Sequence, residues 1–181
     1  TIVWDTTLQC NYTLNHQVVI QIDPAPAPSF DNTPVDDQIT CAEAVDFVAA
    51  IAPLSYSNGE AGECAITGTV QPVVTEDYDE CGGTITIVWD TIVACDHPLT
   101  DTQTITIDRA PAPSFDNLPQ PETITCSEAL NYIATTAVLT YSNGETGECA
   151  ITGTVQPQIT ENYDECGGDI TIVWDTTLQC N

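Results

Sequence analysis

The chain has 181 residues, of which 27 are acidic and one, Arg109, is basic, for a formal net charge of −26. A hydrophobic fraction of 42% is ordinary for a globular protein and excludes a disordered acidic tail. One arginine cannot neutralise a run of phosphates, so nucleic acid and anionic membrane surfaces are disfavoured as partners. The acid is spread along the chain and reads as a solvated surface that keeps molecules apart. Divalent-cation binding is the sharper reading of the same carboxylates.

The opening phrase, Thr1-Ile-Val-Trp4-Asp-Thr6, returns around Trp89 and Trp174, every 85 residues. Cys10, Cys95 and Cys180 keep that interval, as do Cys41/Cys126, Cys64/Cys149 and Cys81/Cys166. The chain therefore reads as a tandem array with an 85-residue unit. Residues 171–181 repeat residues 1–11 letter for letter, so the expectation is a window of a longer array that begins and ends within a unit. A repeated module with no private residues in any copy suits a fibre, stalk or adhesin better than an enzyme. The tryptophans read as core rather than as binding aromatics.

Pro24-Ala-Pro-Ala-Pro28 and Arg109-Ala-Pro-Ala-Pro113 mark the unit boundaries. Alternating prolines fix φ and favour a stiff, extended spacer. The pieces are then 1–23, the last strands of a preceding unit; 24–108, a complete unit; and 109–181, a unit lacking its last strand.

Within the complete unit, residues 39–41, 54–57, 64–70, 84–90 and 104–108 read as strands, as do residues 18–22 before it, and 64–70, 84–90 and 104–108 carry the Thr, Val and Ile patterning of half-buried antiparallel strands. Asn58-Gly59 ends the second of these. Residues 41–50 differ. Thr40 followed by Glu43, repeated as Thr125 and Glu128, forms a capping box, and Val45 and Val48 are expected on one helical face. The predicted fold class is all-β: tandem immunoglobulin-like β-sandwich repeats, each with one short helix, joined by Pro-Ala-Pro linkers. So small a unit has a thin core, which disulfides would offset.

No Cys-x-x-Cys pair and no zinc spacing occurs, so the nine cysteines read as disulfides in an oxidising place outside the cytosol. No apolar run is long enough to span a membrane. Cys81–Cys95 is disfavoured, because a strand rising about 3.3 Å per residue separates the two. If residues 64–74 and 85–95 form a wide hairpin, Cys64 faces Cys95 and Cys41 is left for Cys81. The favoured set is Cys64–Cys95 and Cys41–Cys81, with Cys149–Cys180 and Cys126–Cys166 in the next copy. Cys64–Cys81 with Cys41–Cys95 is the alternative, and bridges between neighbouring units remain open.

Thr75-Glu-Asp-Tyr-Asp-Glu-Cys81 is the densest acidic run. Glu76, Asp77, Asp79 and Glu80 could offer oxygens to calcium from a loop ahead of Gly82-Gly83. No other cofactor is indicated. His16 and His97 do not occupy equivalent positions, and Ser55, Ser57 and Ser142 have no repeated histidine, so a Ser-His-Asp mechanism lacks its base. Asn11-Tyr-Thr13 is an N-glycosylation triplet. Asp5-Thr6-Thr7, Asp90-Thr91-Ile92 and Asp175-Thr176-Thr177 recur in every copy.

Ile-Thr-Cys-x-Glu-Ala, Tyr-Ser-Asn-Gly-Glu-x-Gly-Glu-Cys-Ala-Ile-Thr-Gly-Thr-Val-Gln-Pro and Cys-Gly-Gly-x-Ile-Thr-Ile-Val-Trp, closed by the Pro-Ala-Pro linkers, resemble the tandem hyalin-repeat-like, immunoglobulin-like modules of giant Bacteroidetes surface proteins of the gliding-adhesin type. The resemblance covers the whole unit. It implies a cell-surface stalk or filament rather than a catalyst. It also implies O-glycans on Asp-Thr triplets, which here places sugar on Thr6, Thr91 and Thr176. The expected partners are neighbouring repeats and covalent glycans, with surface polysaccharide as a further candidate and no membrane insertion. A carbohydrate-binding module repeated for avidity is the alternative. That reading needs Tyr56 and Tyr78, repeated as Tyr141 and Tyr163, to form a flat solvent-facing pair.

Overall fold

A computed structural model of the chain describes residues 1–7, 13–178 and 180. They are mostly β, with two short helices. The strands are β1 (Ile2–Thr7), β2 (Thr13–Val18), β3 (Ser29–Phe30), β4 (Asp37–Ile39), β5 (Leu54–Ser57), β6 (Thr67–Val70), β7 (Val73–Asp79), β8 (Gly82–Val93) and β9 (His97–Ile107). After the second proline linker come β10 (Ser114–Phe115), β11 (Leu139–Ser142), β12 (Thr152–Val155), β13 (Gln158–Asp164) and β14 (Gly167–Val173). The helices are α1 (Ala44–Ala50) and α2 (Ala129–Thr135).

In residues 24–108 the strands form two sheets, β3-β5-β6 and β4-β9-β8-β7. All pairs are antiparallel except β4 with β9. β8 is the axis of the larger sheet. Its alternation sends Ile85, Ile87 and Trp89 to one face, where they are 0%, 0% and 2% exposed. Ile105 and Ile107 of β9, Val70 of β6 and Ala44 of α1 join them in a single cluster, with Phe30, Leu54 and Tyr56 packed against it. Each fully buried large side chain contributes about 1.5–3 kcal/mol. The Trp89 indole N–H donates to the Ala52 carbonyl at 3.2 Å, so burial leaves it satisfied.

The acidic run is a strand and a tight turn, not a loop. Residues 75–79 lie inside β7, and the Asp79 carboxylate accepts from the Cys81 N–H at 2.7 Å. The turn needs its glycines. Gly83 has φ +151, and a Cβ there would collide with the Asp77 carbonyl and the Tyr78 backbone.

The helix also departs from expectation. Residues 41–43 form a 3-10 turn, and α1 starts at Ala44. The cap forms through Glu43, whose Oε2 accepts from the Thr40 N–H at 2.9 Å and hydroxyl at 2.7 Å. Thr125 and Glu128 repeat this at 2.8 and 2.7 Å. Ala44, Phe47 and Val48, at i, i+3 and i+4, form the stripe that faces the core, and Val45, about 100° round the helix from Ala44, is 67% exposed. Residues 62–64 are likewise a 3-10 turn, and the strand expected over 64–70 is only Thr67–Val70.

Elements β10 to β14 and α2 repeat β3 to β8 and α1 at the 85-residue offset, but less completely. β13 and β14 form a two-stranded sheet, and residues 122–124, counterparts of β4, are not a strand. β4 exists by pairing with β9, and no described strand lies along the free edge of β14. Ile170, Ile172 and Trp174 are accordingly only half-buried. At the other end, among the described residues, β1 and β2 pair only with each other, and residues 19–22, expected as strand, form none. A lone hairpin has no layer to pack against.

The proline linkers carry no regular structure over 24–28 and 109–113. The second is not a free spacer. Ala110 is 4% exposed within the core cluster, and its N–H donates to the Glu80 carbonyl at 3.1 Å.

Candidate functional site: a cross-linked joint between units

The end of the first unit carrying Cys41 and the β7–β8 turn meets the second unit through two disulfides. Cys41 bonds Cys149, with Cα atoms 5.8 Å apart, and Cys81 bonds Cys180 at 5.2 Å. The Cys41 sulfur sits 3.6 Å from the Asp79 carbonyl oxygen, which places it beside the turn that bears Cys81. Cys149 closes the 3-10 turn Gly147–Cys149 and enters the first unit's core cluster, followed by Ile151. Glu148 also reaches across the joint. Burial first, then Glu76 and Glu148, push the Tyr78 phenol above its ordinary range.

These bonds overturn the expected pairings. Neither Cys64–Cys95 with Cys41–Cys81 nor the alternative Cys64–Cys81 with Cys41–Cys95 forms, and in the second copy neither Cys126–Cys166 nor Cys149–Cys180 forms. The assumed wide hairpin does not exist. Residues 67–70 pair with β5 in the other sheet, while β8 pairs with β7 and β9. Twelve residues of β8 at about 3.3 Å each keep Cys81 and Cys95 roughly 40 Å apart. Cys41 and Cys81 do lie near one another, but both face the next unit. Among the described residues Cys64, Cys95, Cys126 and Cys166 are unpaired and exposed.

Sequence reading missed Asn58 and Asn143, which shape the loops bearing Cys64 and Cys149. The Asn58 amide donates to the Cys64 carbonyl at 2.9 Å, and its oxygen accepts from the Ile66 N–H at 3.0 Å. Asn143 does the same for Cys149 and Ile151 at 2.8 and 3.0 Å. The repeated Ser-Asn-Gly phrase was the available signal, but it reads first as a strand end.

The other expected sites are scattered. Glu76, Asp77 and Asp79 are exposed on β7, where neighbouring side chains point to opposite faces, and Glu80 is half-buried in the turn. No three of these four carboxylates bring oxygens within 4.8 Å of one another; the one such group among the described residues is Glu80, Cys81 and Cys180, whose sulfurs are joined in a disulfide. Thr6 is exposed on β1, Thr91 half-buried on β8, and Thr176 exposed after β14. The aspartate before Thr6 and Thr91 is engaged across the hairpin: Asp5 accepts from Asn15 at 2.7 Å and Asp90 from the Thr100 hydroxyl at 2.5 Å. Asn11 lies outside the described residues. Tyr56 and Tyr78 are half-buried against the core rather than a flat exposed pair, and the Tyr56 ring covers Gly68 so closely that a Cβ there would lie 2.5 Å from its hydroxyl. His16 stacks on Trp4 with centroids 6.0 Å apart.

No family model matches the chain, and neither does any curated protein or solved structure.

Proposed function

We propose that the chain is a structural repeat of an extracellular fibre or stalk on a bacterial cell surface, built from tandem immunoglobulin-like β-sandwich units. The observation that carries this reading is the pair of disulfides between successive units. Tension along the array has to pass through two S–S bonds as well as through the proline linker. Bonds of this kind fit an oxidising environment. No described helix is long and apolar enough to cross a membrane. The net charge of −26 supports the same reading, because like-charged fibres repel and stay dispersed.

The adhesin-like resemblance adds sugar on Thr6, Thr91 and Thr176, two of which have exposed side chains. Intact-mass measurement of the native protein tests this. Mass above the bare polypeptide, localised to these residues, is expected, and the bare mass removes it.

Electron imaging of the intact particle tests the fibre. Thin filaments with a constant axial rise per unit are expected. Compact particles in which the units fold around one common cleft would falsify it.

A further inference from the structure

The two disulfides of the joint enclose overlapping stretches of chain. Cys41–Cys149 closes a loop across a sequence separation of 108, and Cys81–Cys180 closes one across 99. Every peptide bond between residues 41 and 180 therefore lies inside at least one loop, and those between 81 and 149 lie inside both.

The doubly enclosed stretch holds the most open backbone of the joint. It contains the proline linker at 109–113, which has no regular structure, and residues 116–123, which are exposed and form neither strand nor helix. Exposed, irregular backbone is where chains are nicked. With bonds kept inside each unit, as Cys41–Cys81 with Cys64–Cys95 and Cys126–Cys166 with Cys149–Cys180, residues 96–125 would be the single covalent connection, and one cut there would part the units.

Resting on the fibre reading, we propose a further function for the joint. It is a covalent bypass: a disulfide-borne second route that keeps the units joined when the peptide chain between residues 41 and 180 is cut, and that takes the load off residues 42–148 when the chain is pulled.

The geometry makes this bypass anchored and doubled. Both bonds leave the first unit at one place, because the Cys41 sulfur lies 3.6 Å from the carbonyl oxygen of Asp79, two residues before Cys81. The turn there is itself pinned. The Asp79 carboxylate accepts from the Cys81 N–H at 2.7 Å, and the Glu80 carbonyl accepts from the Ala110 N–H at 3.1 Å. On the second unit the Asn143 amide holds the Cys149 carbonyl at 2.8 Å. The two bonds differ in access. Cys41 and Cys149 are 2% and 4% exposed, whereas Cys81 is exposed. A thiol arriving from solvent reaches Cys81–Cys180 first. Loss of that bond alone leaves the linker and residues 116–123 still bypassed.

The load path follows from the same separations. The shortest covalent route steps from Cys41 to Cys149 and leaves out residues 42–148, which hold β5 to β11 and both helices. Pulling on the chain ends then puts no covalent load on the strands that bury Ile85, Ile87, Trp89 and Ile105. Without Cys41–Cys149, Cys81–Cys180 takes over. The separations of 108 and 99 differ by nine residues, so at roughly 3.3–3.6 Å per extended residue the route lengthens by only about 30 Å.

Two measurements on the whole oxidised chain test this. In the first, a recognition sequence for a site-specific protease replaces residues 117–122 and is cut. A denaturing, non-reducing mass measurement should find one species, the full mass plus one water, and two fragments only after reduction. The Cys41→Ala/Cys149→Ala and Cys81→Ala/Cys180→Ala chains should each stay joined, and the chain with all four replaced should fall into two. Halves that part without reductant overturn the bypass, as does a four-alanine chain that stays joined.

In the second, single chains are stretched between handles fused to their ends. A dithiol reductant should lengthen the fully extended chain by about 360–390 Å, the span of the 108 residues released. Cys41→Ala/Cys149→Ala should lengthen it by about 30 Å, and Cys81→Ala/Cys180→Ala not at all. Equal lengths with and without reductant overturn the load path. Both readouts come from single chains. If the halves part while imaging shows filaments, the bypass fails and the fibre reading stands; if they hold while imaging shows compact particles, the fibre reading fails and the load-bearing role with it.

Discussion

Trp4 and Trp89 sit in the same phrase and each pairs across its hairpin with the residue twelve further on, His16 and Asp101, yet one is 55% exposed and the other 2%. The β1–β2 hairpin and the end of the β8–β9 hairpin have the same local pairing. What separates them is the surrounding layer: β8 also pairs with β7 and is covered by α1 and the smaller sheet, while β1 has β2 alone among the described strands. The pairing of this hairpin repeats in both copies, but burial is a property of the unit. The second unit stands between the two, with Trp174 half-buried and its indole still bonded to the Ala137 carbonyl at 3.0 Å, matching Trp89 and Ala52.

The joined and open cysteines should differ most. Replacing both Cys41 and Cys149 by alanine removes a link across a sequence separation of 108 residues, and a loss of about 4–5 kcal/mol follows from chain entropy. Replacing Cys64 and Cys95 in a single chain should change stability by less than about 0.5 kcal/mol. Urea unfolding of the two variants checks this, and equal midpoints would reverse the assignment of bonded and open pairs.

Next comes the tryptophan contrast itself. Trp89→Ala should cost about 3–5 kcal/mol by leaving a cavity among Ile85, Ile87 and Ile105, while Trp4→Ala should cost under about 0.5 kcal/mol in the unassembled chain. Thermal unfolding of each variant reads the difference.

A finer contrast lies in the β-turn glycines. A Cβ on Gly82 would lie 2.6 Å from the Ile107 carbonyl, whereas on Gly167 it meets nothing within 4 Å, because no described strand stands in the place of β9 there. Both have positive φ, so both alanine variants carry backbone strain. Gly82→Ala should lose about 1–3 kcal/mol more than Gly167→Ala. Similar losses would mean that the second unit's edge is filled in solution.

The smallest effect is at the helix starts. Hydrogen bonds from the Thr40 backbone and hydroxyl hold Glu43 below the usual carboxylate range, and the Thr125 hydroxyl and backbone do so for Glu128. A depressed folded-state value stabilises above the ordinary glutamate range, and that contribution is lost as pH falls through the folded value. NMR titration should place both side-chain midpoints below those of other glutamates, with the first turns of α1 and α2 loosening only beneath them. Glu43→Gln should abolish the effect at α1 and leave α2 unchanged.

The acidic run shows why local composition misleads about sites. Clustered Asp and Glu suggest convergence, but β alternation sends Glu76 and Asp77 to opposite sides, and the turn residue Asp79 is committed to the Cys81 N–H. In α1 the pattern gave the helix and its cap. It placed the stripe on Val45 and Val48, whereas Ala44, Phe47 and Val48 are the residues turned to the core, because two apolar positions three apart fit either of two adjacent stripes.

Period-two alternation of Thr, Val and Ile marked strands such as the one over residues 84–90, because that preference comes from neighbours in the chain. The identical setting of every cysteine class left the choice of partner copy undetermined. Only the tertiary arrangement decided that Cys41 reaches Cys149 and Cys81 reaches Cys180, since bond formation depends on distance in space, and equal phrases 85 residues apart differ in nothing else.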